Sequence, residues 1–466
     1  MNLSFSSTCY WKAVLMITGE KIEIREKSPV FRIWLAFFVY TVSVALFVQV
    51  VLLPYIFPAW HAGNGLLTGG DWIGFHQLAV EKGQKILEEG WSAWELRPQG
   101  QAPAGIASAI YALTVPKPWT VIPFNAALHA TAGLVLIRIL QFFIPCWKRS
   151  TLLVLPFLLY PSAMTWYTMN HKDGFLIAGS FIFLYTFLLL GRAETWSCGW
   201  RSPLAIVLLF FAGCILIWVV RPYGVQMLQV FGAVLALLLA GVFFLRGFWQ
   251  LLPWKTVITV FLLLIVMIVG ITPLTKSGIY AEVPAREIYW EKTDWLPSYL
   301  ENNFYSLARV REGFRLAYPE AGSNIDTDIS FKSAGEVMAY LPRAAKIVFL
   351  APFPEQWFGK AALESNTMMR RISAVEMTVV YFSLLFLPYA LWLWRRRIET
   401  WMVMVFCSGM MILYGLSITN VGTLYRMRYG FLMMLVALGL AGFLEAVKAF
   451  ADRRRDHLYD KHRVKM

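Results

Sequence analysis

The 466-residue chain is 58% hydrophobic and only 15% charged, with a formal net charge of +14. Soluble domains carry about 25% charged residues, so lipid rather than water is the expected solvent. Basic residues cluster beside apolar runs, as in Arg395-Arg396-Arg397 and Arg453-Arg454-Arg455, without interleaved stacking aromatics; this speaks for topology signals and anionic lipid and against nucleic acid.

In chain order, Met1 to Ser28 lacks the basic, apolar and small-residue succession of a cleaved signal peptide, so the first span is expected to serve as the insertion signal. That span is Phe31 to Phe57, and Lys21, Arg25, Lys27 and Arg32 before it place the N-terminus inside. Pro58 to Gln101 is polar and expected outside. Within it, Phe75, Leu78, Ala79 and Ile86 recur at helical spacing beside Glu81, Lys82 and Lys85, which predicts a surface-lying helix over Trp72 to Leu87. Pro103 to Val115 is apolar but too short to cross, and it reads as a second interfacial or re-entrant helix. Further spans are expected at Trp119 to Ile144, Leu152 to Tyr167, Phe175 to Leu190, Pro203 to Val220, Tyr223 to Leu245 and Lys255 to Thr272. A long outer segment follows, from Pro273 to about Thr367. Its apolar end, Tyr340 to Phe358, is interrupted by Pro342, Pro352 and Pro354 and is expected at the interface. The last spans are Ile372 to Trp394, Trp401 to Ile418 and Tyr429 to Phe450, before a basic tail.

The expected fold is therefore all-α: a polytopic inner-membrane protein of about ten transmembrane helices, both ends cytoplasmic, with interfacial helices in the first and last long outer loops. It divides into a cytoplasmic segment 1–30, a membrane region 31–273 with outer loop 58–118, an outer loop 274–370, C-terminal spans 371–450 and a tail 451–466. Every inward crossing ends beside Lys or Arg, at Lys148, Arg192, Arg246, Arg395 and Arg453, as the positive-inside rule requires. The cysteines Cys9, Cys146, Cys198, Cys214 and Cys407 show neither metal-ligand spacing nor a place in the long outer loops, so no disulfide framework or zinc site is expected.

The candidate functional residues are polar ones at the outer ends of spans. Asp71 follows Gly69-Gly70 and opens the first interfacial helix, with His76 five residues on; the plain reading of Asp71 is a helix cap. Asn170-His171-Lys172-Asp173 forms a short outer turn, where a cap and a headgroup-level lysine are again the plain reading. Arg221 ends a span before Pro222. Arg426 and Arg428 lie outside, where basic residues are disfavoured, and an anionic ligand would explain them. Together these groups suit a substrate with a phosphate at the membrane and a reacting hydroxyl in water: a carboxylate accepts the proton and arginine stabilises the departing phosphate.

The run Asp71-Trp-Ile-Gly-Phe-His76-Gln-Leu-Ala79, the pair Tyr160-Pro-Ser162 and Lys172-Asp173, and the closing Gly422-Thr-Leu-Tyr-Arg426-Met-Arg428-Tyr resemble motifs of bacterial membrane proteins related to the GT-C glycosyltransferases. Phe75 stands where that pattern has Tyr. The resemblance implies transfer of a sugar from a polyprenyl-phosphate donor to a glycan or lipid acceptor at the outer face. It makes Asp71 the base or metal-linked acid and Asp173 the second acidic position. Arg426 and Arg428 would bind the carrier phosphate, with Arg221, Lys172 and His76 as further substrate contacts. Some members of that group use a divalent cation.

Two other readings share this composition. One is an envelope polysaccharide polymerase or ligase, which also acts on lipid-linked glycans. The other is a transporter or flippase of such lipids, which should show charged residues in mid-span. Here Arg138 and Glu376 are expected near span ends, and Gln49, Gln226 and Gln229 are uncharged.

Overall fold

The computed structural model describes residues 29–192, 201–245, 254–271, 287–317, 319, 321–360 and 364–463. The expected cytoplasmic segment before residue 29, Arg246 and the first part of the long outer segment (272–286) lie outside the described residues.

Helix α1 (Val30–Leu46) continues to Ile56 through widened turns around Pro54, whose ring removes a backbone donor. α2 (Trp72–Glu89) and α3 (Ala102–Leu113) follow between α1 and the next long helix. α4 (Ile122–Leu140), α5 (Trp147–Leu159) and α6 (Pro161–Tyr167) lead to α7 (Asp173–Leu190). α8 (Arg201–Val220), α9 (Pro222–Leu245) and α10 (Trp254–Val266) come next. α11 (Ser298–Ala317) and α12 (Ala334–Leu350) belong to the segment expected from sequence to form the second outer loop. α13 (Glu364–Trp394), α14 (Ile398–Ser417) and α15 (Val421–Arg463) close the chain. No strand occurs among the described residues, only two isolated bridges.

Among the described residues seven helices are long and apolar enough to cross a membrane: Val30–Ile56, Pro118–Leu140, Asp173–Leu190, Pro222–Val242, Thr367–Trp394, Ile398–Ser417 and Val421–Arg455. The chain is thus an all-α, membrane-embedded protein. Three other expected spans take different forms. Leu152 to Tyr167 is broken into α5 and α6, because the residue before a proline is driven out of the helical region; Tyr160 is extended, with ψ at 119°. α8 and α10 contain shorter apolar stretches, Leu204–Val220 and Ile258–Val269.

α7 sits at the centre: all its residues except Gly174, Tyr185 and Leu189 are buried. α4 and α8 pack on it, and α15 packs on α13. Without a hydrophobic gradient between lipid and protein, such helices associate through close backbone approach at small residues. A Cβ on Gly179 of α7 would lie 2.7 Å from the carbonyl oxygen of Gly213 on α8, so this crossing requires glycine. The spacing that predicts α2 also predicts its buried face, since Phe75, Leu78, Ala79 and Ile86 are buried, most of them against α3.

In the expected second outer loop, Ser333 caps α12 by accepting the Glu336 amide at 3.4 Å. Pro342, expected to interrupt this segment, lies inside α12 instead. It sits on the exposed side, where the carbonyl one turn back can find another donor. Buried Arg311 ties α11 down by donating to the carbonyls of Asp326, Ile329 and Leu416.

Candidate functional site

Central helix α7 presents its N-terminus at the end of the bundle where α2, the turn before α7, Arg221 and the start of α15 meet. Asp173 occupies the first turn, where the helix dipole favours a carboxylate. It is almost wholly buried, and three side chains from three other places converge on it. Arg221 Nη2 donates to Oδ1 at 2.9 Å, His171 Nδ1 lies 3.0 Å from Oδ2, and Arg426 Nε lies 3.1 Å from Oδ2. Asp173 is therefore the organiser of the cluster: Oδ1 accepts from Arg221, while Oδ2 is in ion-pair contact with His171 and Arg426 without a hydrogen bond among the described residues.

Asp71 has a different setting. Its side chain is 59% exposed, and it makes no capping hydrogen bond. Asp71 Oδ2 instead faces Arg426 Nη2 at 3.7 Å and His171 Nε2 at 4.0 Å. The cap reading of Asp71 thus gives way to a carboxylate held loosely at the rim of a cationic cluster. Lys172 lies beside it, its ammonium 5.6 Å from the Phe75 ring centre.

Asp71, His171, Lys172, Arg221 and Arg426 all line one cavity of about 1730 Å³. Its remaining lining is mixed, with apolar side chains beside Arg309, Arg370 and Asn303. Tyr223, Gln226, Met227 and Val230 follow one face of α9 away from the charged end, with Phe304 and Leu307 of α11 and Leu413 of α14 among its other walls. Val230 is itself exposed on the outer surface of α9. The cavity is amphiphilic: Lys172, Arg221, Arg426 and the Asp71 carboxylate meet at one end, and aliphatic and aromatic side chains make up much of the rest. Arg221 Nη1 is buried there without a hydrogen-bond partner among the described residues, and an unpaired buried donor is costly unless a ligand completes it.

Two expected site residues lie elsewhere. Arg428 points away from the cavity and is buried; its guanidinium donates to the carbonyls of Ile347, at 2.9 Å, Val348 and Ala351. It closes the C-terminus of α12, where orphan carbonyls and the helix dipole call for a cation. Roughly half a helical turn separates its role from that of Arg426, since residues two apart face different sides. His76 is buried between α2 and α3, with Nδ1 2.9 Å from the Tyr111 hydroxyl. Burial foremost, and then Lys117, lowers its pKa, so it is a neutral packing residue.

The structure adds residues that sequence reasoning did not single out. His171 was legible only as a neighbour in the Asn170-His171-Lys172-Asp173 turn. Glu376, expected near a span end, lies within the span Thr367–Trp394 and is buried. It accepts from the Ser162 amide at 2.9 Å, the Ser162 hydroxyl at 2.6 Å and the Tyr425 hydroxyl at 2.7 Å, joining α13 to α6 and α15. No pattern within α13 signals these partners, which are distant in sequence.

A divalent cation fits this arrangement poorly. Hard cations want several oxygen ligands, whereas Asp173 is buried among two arginines and His171, which leaves Asp71 as the exposed carboxylate of the cluster. Among the described residues no group of three or more His, Cys, Asp and Glu side chains is placed to hold a metal. Comparison with known protein families, with curated proteins and with solved structures finds no match to this chain.

Proposed function

We propose that this chain is a membrane glycosyltransferase that moves a sugar from a polyprenyl-phosphate donor to a glycan or lipid acceptor at the outer face of the cell inner membrane. The observation that carries the reading is the amphiphilic cavity, whose walls combine Asp71, Lys172, Arg221 and Arg426 with Met227 and Val230 of α9. An isoprenoid chain suits the apolar end, and its phosphate suits the cationic end. The motif resemblance supplies the sugar-transfer chemistry and the about ten spans and cytoplasmic termini that go with it.

In this mechanism Arg426, Arg221 and Lys172 hold the phosphate, each charge-assisted contact contributing about 1.5–3 kcal/mol. The acceptor hydroxyl approaches Asp71 from water. Its oxygen forms a bond to the anomeric carbon as the bond from that carbon to the phosphate oxygen breaks. The hydroxyl proton passes to the Asp71 carboxylate, and the lipid phosphate leaves with the electron pair, its charge met by the arginines. Asp173 does not touch substrate; it keeps the two guanidinium groups from repelling each other.

The test is a comparison of lipid-linked sugars and envelope glycans in cells with the wild-type chain, with Asp71→Asn and with no chain. Asn preserves shape but cannot accept the proton, so transfer should fall about 10²-fold or more, with unused donor accumulating at normal protein level. Full transfer by Asp71→Asn would exclude Asp71 as the base. An unchanged glycan and lipid profile in cells without the chain would remove the transferase reading itself.

A further inference from the structure

The cavity carries more positive charge than one lipid phosphate needs. Among the described residues its charged lining is Asp71, Lys172, Arg221, Arg309, Arg370 and Arg426, one carboxylate against five cations. Lys172, Arg221 and Arg426 gather with Asp71 and the buried Asp173, three cations with two carboxylates. A sugar joined to a polyprenol through a phosphodiester brings one negative charge and cancels the excess there. Arg309 is met by Glu287, Nη2 to Oε1 at 2.9 Å. Arg370 is left over.

Arg370 lies near the start of α13 and is half-buried. Its guanidinium donates from Nη2 to the Gly322 carbonyl at 2.6 Å and from Nη1 to the Lys360 carbonyl at 3.3 Å. These carbonyls fix the group without neutralising it, and no carboxylate pairs with it among the described residues. Two of its five N–H donors are engaged, which leaves three. The segment that holds Arg370 is itself pinned to the start of α15. Asn420 Nδ2 donates to Ser323 Oγ at 2.8 Å, and the Val421 amide donates to the Ser323 carbonyl at 2.9 Å. Arg426 follows Val421 along α15 by roughly 7 Å of helical rise. The cavity therefore holds a second fixed cation, a short way from the first group and on separate supports.

We propose that the acceptor is an acidic glycan, with the carboxylate of one sugar seated on Arg370 and the chain laid along α11. The proposal rests on the transferase reading and supplies the acceptor class that it leaves open. A planar guanidinium matches a carboxylate in geometry as well as charge. Helix α11 lines the cavity from Tyr299 to Ala317, roughly 27 Å at helical rise, and offers Asn303 and Ser306 along the way. A wall of that length with polar groups at intervals suits a chain of sugars, whereas a lipid headgroup needs one spot. Two separate cationic sites also let two anionic substrates lie in one cavity without sharing a counter-charge.

The test is calorimetric binding to the full chain in phosphatidylcholine nanodiscs at low salt. The probes are a galacturonate hexamer, its carboxyl-reduced counterpart and farnesyl phosphate. The acidic hexamer should bind about tenfold more tightly than the reduced one. Arg370→Gln should abolish that preference and leave farnesyl phosphate binding unchanged. Arg370→Lys, which keeps the charge, should retain most of the preference, which separates lost charge from lost structure. Arg426→Gln should do the opposite of Arg370→Gln, weakening farnesyl phosphate and sparing the preference. Equal binding of the two hexamers, binding of neither, or a preference untouched by Arg370→Gln overturns the proposal. If phosphatidylglycerol in the disc abolishes the preference, Arg370 is a lipid headgroup contact and the glycan class falls. The farnesyl phosphate measurements bear on the transferase reading alone, so the two readings fail separately.

Discussion

Asp71 and Asp173 are both carboxylates of the same cluster, but exposure separates their roles. Removing the charge of Asp173 strands two buried guanidinium groups and a histidine. Breaking such a buried set costs roughly 3–5 kcal/mol, so Asp173→Asn should lower the melting temperature and membrane yield sharply. Asp71→Asn, at an exposed carboxylate 3.7 Å from its nearest cation, should leave both near the wild-type values. Thermal unfolding of the two purified variants in detergent checks the contrast, and equal destabilisation would count against the division of labour. The sequence showed that Asp71, Lys172, Asp173, Arg221 and Arg426 share one membrane face, because charge placement obeys local rules. It did not show that Asp173 is buried or that Asp71 is exposed, because those facts depend on side chains 48 and 253 residues from Asp173 in the chain.

At the scale of elements, Arg428 links two helices that the sequence keeps far apart. Its contacts to the last carbonyls of α12 predict that Arg428→Ala loosens that helix. Hydrogen exchange should rise at least tenfold over 344–350, with little change in α2 or α7. If Arg428→Ala instead left α12 protected and weakened retention of the donor lipid, the phosphate role read from sequence would be restored. Helices α2 and α3 were legible as helices because apolar periodicity and flanking prolines are local signals. The continuity of α12 through Pro342 was not, since tolerance of a proline depends on which side of the helix its neighbours leave open. The Glu376 clip was equally hidden: an acid within an apolar run reads as a span edge until its hydroxyl and amide donors are seen.

For the whole molecule, orientation follows from basic residues alone, and it makes a prediction independent of any catalytic reading. In intact cells an impermeant thiol reagent should label Asn302→Cys on exposed α11 and spare Arg454→Cys near the end of α15. Native Cys146, exposed at the opposite end of α4 from the first outer loop, is the internal control and should react only once the membrane is opened. The reverse pattern would invert the map. The general class, an all-α membrane protein, was readable from hydropathy because lipid forces every span to satisfy its own backbone. The form of the crossings was less so: α5 and α6 divide one expected span at Tyr160-Pro161, and composition cannot tell a straight crossing from a broken one.

The cavity has two exposed ends: Val230 on its α9 wall is exposed, and so is Asp71 at its charged rim. Under the proposed function a greasy donor and a hydrated acceptor come through separate doors and need not queue. Under the proposed function this implies a random-order ternary complex, with neither substrate obliged to bind first. It also separates the exits: the spent lipid slides sideways into the bilayer while the lengthened glycan drifts outward, so neither departure gates the other.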